Sequence, residues 1–258
     1  METNEKEEST NNADNIYVNG VNGLDISKYK ITKVEKNEDI SNFEEIIYKV
    51  VLLGDPDVGK NFIIHSLIES EPIKEAYKAT IGFDIFNYSA HVNEKLITMQ
   101  IWDTCGLMDF SACTPKLYNN VSIAIIVYNI TKKKTFENIQ NWYYLIKLNS
   151  SDETIIFIVG NKKVSEYYRE VTIEEGIQYT KDNGFKFFIE NSGNERQIAR
   201  IIIEQALVQL YELYNNYKKN CKEEEEDEEP RIDFVKRKDT FKLNNRGKNK
   251  NKKHKCCS

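Results

Sequence analysis

The sequence predicts an α/β fold with a doubly wound, mostly parallel sheet, and three features support this prediction. The segment 46–54, IIYKVVLLG, is a nearly continuous apolar run, as expected of a strand buried on both faces. A glycine-rich turn, GDPDVGKN at 54–61, follows this strand and leads into a segment with helical apolar spacing. Strand and helix patterns then alternate with short connections, which is typical of this architecture.

Six strands are predicted in chain order, and their ranges are 46–53, 83–92, 95–103, 122–130, 154–160 and 186–190. The turn Asn93–Glu94 joins the second strand to the third, which predicts one antiparallel edge hairpin. Beyond the helix after the glycine turn, helices are predicted at 134–148, 173–183 and 194–217. In the last helix one face is shared by Ile198, Ile202, Leu207, Leu210 and Tyr214. A ligand is expected at the carboxyl ends of the strands.

Composition divides the chain into three parts. Residues 1–43 are rich in Asn, Glu and Lys and are predicted to be a mostly disordered extension, followed by a folded domain at 44–218. Residues 219–258 are predicted to form a disordered tail that is first acidic, at 223–229, and then strongly basic after Pro230. The basic run fits a solvated tail, a nucleic-acid arm or a tether to anionic lipid.

Cysteine count and hydropathy exclude several protein classes. The five cysteines are odd in number and lack zinc-like spacing, so neither a disulfide framework nor a cysteine-based zinc site is predicted. No apolar run reaches the roughly 18 residues of a membrane-spanning helix, and the first residues lack an apolar signal core. Glu2 stands where myristoylation needs glycine. We therefore expect a protein of a reducing compartment that is neither secreted nor membrane-spanning.

The glycine-rich turn is close to the phosphate-binding pattern G-x-x-x-x-G-K-[ST] and matches it at three of four fixed positions. Its residues are Gly54, Asp55, Pro56, Asp57, Val58, Gly59, Lys60 and Asn61. Taken alone, this match fits a ligand-free turn equally well. Further candidate positions are Thr80 in ATIG, Asp103 and Gly106 in WDTCG, and Asn161 and Lys162 in GNKK. An aspartate followed by glycine at a strand end is suited to a magnesium shell and a terminal phosphate.

Residues 48–217 resemble a small GTPase of the Rab family, over about two-thirds of the chain. The motifs that carry the resemblance are YKVVLLGD, TIGFDIF, MQIWDTCG, VYNITKKKTFENIQNW, IVGNKK, REVTIEEG, NGFKFFIENS and the CC pair near the end. The resemblance implies the P-loop small G-protein fold and a Mg-GTP switch that recruits effector proteins to a membrane. It places the two switch loops near residues 77–82 and 106–118, adds Ser192 and Gly193 to the nucleotide contacts, and assigns the metal to Asn61 and Thr80.

Several positions depart from the family pattern where the phosphate and metal chemistry takes place. Asp57 puts a carboxylate into the phosphate cradle, and a residue other than glycine must adopt an unusual φ there. Because like charges repel, phosphate affinity is expected to drop. Asn61 replaces the metal-ligating Ser or Thr, which is expected to weaken magnesium binding. Leu107 occupies the place of the glutamine that orients the attacking water, so no confident catalytic residue remains and little or no GTP hydrolysis is expected.

The positions that recognise the base are altered as well. Val164 stands where the family has an aspartate that accepts two hydrogen bonds from guanine, which predicts weak or relaxed selectivity for GTP and GDP. In Ser192-Gly193-Asn194 the glycine amide is kept and the lysine beside the base is lost. A nucleotide-free interaction scaffold, with Lys60 capped by loop carbonyls, is the alternative interpretation of these positions.

Partners are expected at three places. Trp102, Tyr118 and Phe86 are candidates for an apolar effector surface, although ordinary half-buried sheet positions explain Phe86 equally well. Near the end of the chain, Cys256 and Cys257 are predicted lipidation sites, and the resemblance implies double geranylgeranylation there. The partners it implies are the prenylation machinery and a lipid-chaperone protein. The basic run is then a tether to an anionic membrane, and no nucleic-acid partner is expected.

The sequence therefore predicts a monomeric, Rab-like GTP-binding protein of vesicle traffic whose hydrolysis is impaired or lost. Its expected location is the cytoplasmic face of an intracellular membrane, with a cytosolic pool. Two alternatives remain open at this point: a competent GTPase that obtains missing catalytic groups from a partner, and the nucleotide-free scaffold.

Overall fold

The computed structural model describes residues 18–19, 24–35, 37–60, 64, 82–106, 117–161, 166–190 and 195–223. These residues contain eight strands of one sheet: β1 Val18–Asn19, β2 Ile31–Lys33, β3 Glu45–Leu53, β4 Phe83–Val92, β5 Lys95–Thr104, β6 Ile123–Asn129, β7 Ile155–Asn161 and β8 Phe187–Glu190. The α-helices are α1 Lys133–Glu137, α2 Ile139–Asn149, α3 Ile173–Asp182 and α4 Glu195–Glu223. Short 3-10 turns occur at Ile26–Lys28 and Glu166–Tyr168.

The sheet order is β1-β8-β7-β6-β3-β5-β4-β2. Neighbouring strands from β8 to β5 pair in parallel, whereas β4 pairs antiparallel with β5 through the turn after Val92. The doubly wound, mostly parallel sheet with one antiparallel hairpin is therefore confirmed. Because β3 is flanked by β5 and β6, the segment that follows it starts at the centre of the carboxyl edge, where ligands bind in such sheets.

Helices cover both faces of the sheet. The predicted apolar face of α4 lies in one core cluster, with Ile202 and Leu207 fully buried. On the opposite face α2 buries Trp142 and Ile146 in a second cluster. Strands β3 and β6 contribute alternating side chains to the two clusters, which explains their continuous apolar sequences.

Helix boundaries differ from the sequence prediction at two places. The single helix predicted at 134–148 is two helices, because Asn138 ends α1 and its amide bonds to Lys134 and Phe136 carbonyls. Helix α4 runs to Glu223 and so extends past the predicted domain boundary at 218. Helix α3 begins as its sequence indicates, since Thr172 and Glu175 form a reciprocal capping box.

The amino-terminal extension supplies two edge strands beyond the six that the sequence predicts. Strand β1 pairs antiparallel with β8 at one edge, and β2 pairs antiparallel with β4 at the other, with Ile31 opposite Val92. The prediction of disorder over residues 1–43 is thus wrong for these segments. The unpaired outer strand of a sheet is a ready template for a further strand, which is why such short polar segments can pair there.

Residues 24–43, here called the strap, also contact helix α4. The Tyr29 hydroxyl donates a hydrogen bond to Glu212 at 2.9 Å, and its ring meets the Tyr211 ring edge-on. The Gln205 amide donates to the Leu24 carbonyl oxygen at 3.4 Å. These contacts tie the strap to the helix while β2 ties it to the sheet edge.

No helix among the residues with described structure is long and apolar enough to cross a bilayer.

Candidate nucleotide-binding site

The loop from Gly54 to Lys60 leaves the end of β3 in a conformation that requires glycine. Gly54 and Gly59 have φ values of 135° and 96°, which L-residues rarely adopt. A Cβ atom at Gly54 would overlap the Val127 carbonyl oxygen, and one at Gly59 would overlap the Asn161 side-chain amide. The loop is therefore packed closely against the ends of β6 and β7.

Asp57 lies in the same loop with a φ of 65°. A non-glycine residue in the left-handed region is uncommon, although Asp tolerates it better than most residues. The unusual backbone that the sequence leads us to expect at this position is therefore present.

Lys60 is almost fully buried, with 4% of its surface exposed. Its ammonium donates hydrogen bonds of 2.8 Å to the carbonyl oxygens of Gly54 and Asp55. Burial lowers the pKa of Lys60 to about 8, against the opposing effect of Asp103, Cys105 and the two loop aspartates. The lysine is thus folded over the loop, and its ammonium is bonded to loop carbonyl oxygens that a phosphate oxygen can replace as acceptors.

The Asp55 side chain turns away from the cradle toward the junction of α1 and α2. Its carboxylate accepts hydrogen bonds from the Asn138 amide at 2.6 Å and from the Trp142 indole nitrogen at 2.9 Å. No local sequence pattern indicates this contact, because the partners lie 83 and 87 residues away in the chain.

Two further predicted positions meet the loop. Gly106 lies directly over it, since a Cβ there would come within 2.6 Å of the Lys60 Nζ atom. The Asn161 amide donates to the Val58 carbonyl oxygen at 2.8 Å. Asp103, 2% exposed at the end of β5, is near enough to raise the pKa of Lys60. The structure therefore brings the loop, the Asp-x-x-Gly segment and Asn161 together.

An ion pair with a buried carboxylate supports the neighbouring strand end. Arg169 forms a two-pronged contact with the Glu190 carboxylate at 2.6 and 2.9 Å, and it also donates to the Val171 carbonyl oxygen. Glu190 is 1% exposed and ends β8, two residues before the predicted base contact at Ser192. This pair was not singled out from sequence, because charged residues so distant in the chain give no local signal.

The remaining predicted site residues lie outside the described residues. They are Asn61, Thr80, Leu107, Lys162, Val164, Ser192, Gly193, Cys256 and Cys257. Across the part of the chain that is described, no group of three or more His, Cys, Asp or Glu side chains is arranged to hold a metal ion.

The predicted apolar surface of three aromatic residues is not formed. Tyr118 is 2% exposed and belongs to the core beside α2, so it is wrong as a surface residue. Phe86 packs against the cluster beneath α4, whereas Trp102 packs on the opposite face of the sheet. Trp102 instead stacks on Phe83 at 4.9 Å, next to Ile85, which is 45% exposed.

Comparison with known proteins agrees with this geometry. The Ras family model matches residues 49–212. The chain belongs to the Ras family. Similar proteins include Ras-related protein RABA1g of Arabidopsis thaliana, 32% identical over 66% of this chain and 77% of that protein. Ras-related protein Rab-11C of Dictyostelium discoideum is 33% identical over 67% of this chain and 77% of its own length.

These similarities show that the chain is a Rab-type small GTPase. Proteins of this class generally bind guanine nucleotide and magnesium. The described residues fit the phosphate part of such a ligand, because the glycine cradle, the Lys60 ammonium and Gly106 converge at one place. Asp103 supplies the one predicted magnesium-shell carboxylate that the described residues contain. The Ras family model begins at residue 49, so the strap precedes the part of the chain that the family shares.

Proposed function

We propose that this chain is a Rab-like switch protein of vesicle traffic in which GTP hydrolysis is impaired or lost. The observation that carries the proposal is the convergence of Lys60, Gly106 and Asn161 on the loop after β3. This arrangement supports binding of a nucleotide phosphate. The impairment of hydrolysis rests on the residue types at Leu107 and Asn61.

Leu107 removes the side chain that would orient the attacking water, because an aliphatic group neither donates nor accepts a hydrogen bond. Asn61 replaces a hydroxyl with an amide whose oxygen lies one atom farther from the backbone, which distorts the near-octahedral shell that magnesium requires. The first change acts on hydrolysis, and the second acts on magnesium binding.

Val164 acts on the choice of base. Without a carboxylate at this position two guanine donors lose their acceptor, and unsatisfied buried donors cost about 1–3 kcal/mol each. Binding of purine nucleotides with reduced preference for guanine is the expected result.

The chain acts at a membrane through its last residues. Lipid chains on Cys256 and Cys257 contribute about 0.8 kcal/mol per buried CH₂ group, and the basic run after Pro230 adds about 1 kcal/mol per nearby Lys or Arg. We place the protein on the cytosolic face of an intracellular membrane, where it recruits effectors. The prenylation machinery attaches the lipid chains, and a lipid-chaperone protein binds the lipidated protein in the cytosolic pool.

The deciding experiment combines nucleotide analysis with single-turnover kinetics. Mass spectrometry of the nucleotide that co-purifies with the intact protein reports occupancy, base and phosphate number together. Hydrolysis is then compared between the wild type and the triple variant Asn61→Ser, Leu107→Gln, Val164→Asp. A large gain in the triple variant supports impaired hydrolysis, whereas no gain supports a GTPase completed by a partner. An empty protein without a thermal shift in GTP and magnesium supports the scaffold alternative.

A further inference from the structure

The strap occupies a groove at one edge of the sheet, between strand β4 and helix α4. Main-chain hydrogen bonds hold it along β4 in both directions. The Val34 amide of the strap donates to the Ser89 carbonyl oxygen at 3.0 Å, and the Asn93 amide donates to the Lys30 carbonyl oxygen of the strap at 2.8 Å. The surface that the strap covers, here called the edge groove, consists of residues 89–93, Gln205, Tyr211 and Glu212.

Two strap side chains, Tyr29 and Ile31, pack against the core cluster beneath α4. They lie two residues apart, and alternate side chains of an extended segment share one face. Ile31 is opposite Val92 in the strand ladder. The Tyr29 ring meets the Tyr211 ring edge-on, and its hydroxyl donates a 2.9 Å hydrogen bond to Glu212. The groove therefore accepts an extended segment with an aromatic residue, any residue, and then an aliphatic residue.

The strap is anchored more weakly than the groove is built. None of the strap residues that the structure describes, 24–35 and 37–43, is fully buried. By contrast, Ala90 and Val92 of the groove are 0% exposed. Strand β2 has only three residues. Because a segment with few buried apolar contacts opens at a lower free energy than the core of its domain, the strap can leave while the groove stays folded.

We propose that the edge groove is a binding site for an extended strand of a partner protein, and that the strap is an intramolecular competitor for this site. The strap itself shows which kind of chain fits. The partner strand takes the places of Tyr29 and Ile31 with an aromatic and an aliphatic residue. Main-chain bonds to residues 89–93 supply affinity and the two side chains supply specificity, as in other cases of strand addition to a sheet edge. Because the strap precedes the residues that the family model matches, its control of the groove is additional to the nucleotide switch.

Peptide binding to the full-length protein tests this proposal. The probe is a fluorescein-labelled peptide with the sequence of residues 26–35, ISKYKITKVE. The tethered strap competes at a high effective concentration, so weak binding is expected in the wild type. In the double variant Tyr29→Ala, Ile31→Ala the strap loses both anchors, and the peptide should bind at least about tenfold more tightly. The matched control Lys30→Ala, Thr32→Ala changes two exposed residues at the same spacing and should leave affinity unchanged.

Variants of the peptide test the two side-chain contacts. A peptide with alanine in place of both Tyr29 and Ile31 keeps the charge of the probe, and it should bind the double variant at least about tenfold more weakly. A double-mutant cycle then examines the hydroxyl contact. Adding Glu212→Ala to the double variant should weaken binding of the original probe by about fivefold, because a hydrogen bond to a charged group is lost. The same change should not affect a peptide that carries Tyr29→Phe.

Hydrogen exchange in the wild type provides a test that needs no variant. The Val34 amide belongs to the strap and the Asn93 amide belongs to the groove, and both donate across the same ladder. Saturating unlabelled peptide should speed up exchange at Val34, because the strap is released. Asn93 should stay protected, because a peptide carbonyl replaces that of Lys30. Two-dimensional NMR resolves the two amides.

Three results overturn the proposal. The first is equal peptide affinity of the wild type and the double variant, which would mean that the strap does not control the groove. The second is exchange at Val34 as slow as in strand β6, with and without peptide, which would make the strap a permanent strand. The third is a dimer of the double variant that takes up no peptide, which would assign this edge to a second copy of the chain. If the double variant does not fold, the exchange experiment decides. Since no measurement involves nucleotide, the proposed function stands or falls separately.

Discussion

The indole nitrogen of Trp142 donates a 2.9 Å hydrogen bond to the carboxylate of Asp55, which joins the core of helix α2 to the phosphate loop. Trp142 is 1% exposed, and Asn138 adds a second donor to the same carboxylate. Charge-assisted hydrogen bonds to Asp55 therefore orient the loop from the side of α2. Its conformation depends on a helix that carries none of the recognised nucleotide motifs.

Replacing Trp142 with Phe keeps an aromatic ring in the core and removes this donor. We expect a loss of about 1.5–3 kcal/mol in the free energy of unfolding, because a buried hydrogen bond to a charged group is lost. Urea denaturation of the nucleotide-free protein measures it. Tyr144→Phe, at a position on α2 that is 59% exposed, is the control and should change stability by less than about 0.5 kcal/mol. Equal effects of the two variants would contradict the role given to the indole.

The lowered pKa of Lys60, about 8, predicts how nucleotide affinity depends on pH. A bound phosphate favours the charged lysine and raises its pKa, so binding is accompanied by proton uptake above pH 8. Affinity for GDP should therefore fall as pH rises above this value, by up to about tenfold per unit. Calorimetry between pH 7 and 9.5, in buffers of different ionisation enthalpy, reports both affinity and proton uptake.

The pH experiment needs a control for Lys49, because burial lowers the pKa of this lysine to about 8 as well. Its ammonium lies over the Trp102 ring at 4.1 Å. The Lys49→Gln variant should keep the same pH profile of GDP binding. A flat profile in the wild type, or one that disappears in Lys49→Gln, would show that Lys60 is not the titrating group.

The central sheet could be predicted because its strands are long and apolar. Strand β6 is buried at every residue, and its sequence has no other stable location than the middle of a covered sheet. The α4 face follows equally well from helical spacing. The motif order also located the loop, Asp103, Gly106 and Asn161 at one edge of the sheet, since the ends of parallel strands meet there.

What the sequence did not reveal depends on tertiary neighbours. Strand β2 has one apolar residue in three, so its composition favours disorder, and only the open edge of β4 makes it a strand. Tyr118 was expected at the surface, yet apolar pattern alone does not say which side of the sheet a loop residue enters. The partners of Asp55 and Asp57 are distant in the chain, and no local pattern links them to the loop.

The buried Arg169–Glu190 pair predicts a large effect of a single substitution. Arg169→Met leaves the Glu190 carboxylate, 1% exposed, without its counter-ion, and we expect a loss of about 3–5 kcal/mol. Arg200→Met removes an arginine from an exposed i,i+4 pair with Glu204 and is the control, with an expected loss below about 0.5 kcal/mol. Urea unfolding of both variants makes the comparison, and similar losses would argue against a structural role for the buried pair.

The contacts of the strap with β4 and α4 lead us to expect that residues before the region matched by the family model stabilise the domain. Ile31 packs against the cluster beneath α4, whereas its neighbour Thr32 is exposed. Ile31→Asp places a carboxylate in that apolar contact and should cost about 1–3 kcal/mol. Thr32→Asp carries the same charge at the next position and should have little effect. The melting temperature is the readout, and a strap that merely lies on the surface would give two equal, small shifts.

Helix α4 also sets where the rest of the chain departs from the domain. Its 29 residues span about 43 Å, and Tyr214 is buried in the core while residues 218–220 are exposed. The stretch from Tyr214 to Glu223 is a rigid spacer of about 13 Å. Each residue added to it or removed from it turns the exit direction by about 100° as well as changing the length. The phase of this spacer therefore sets the direction in which the chain leaves the domain after Glu223.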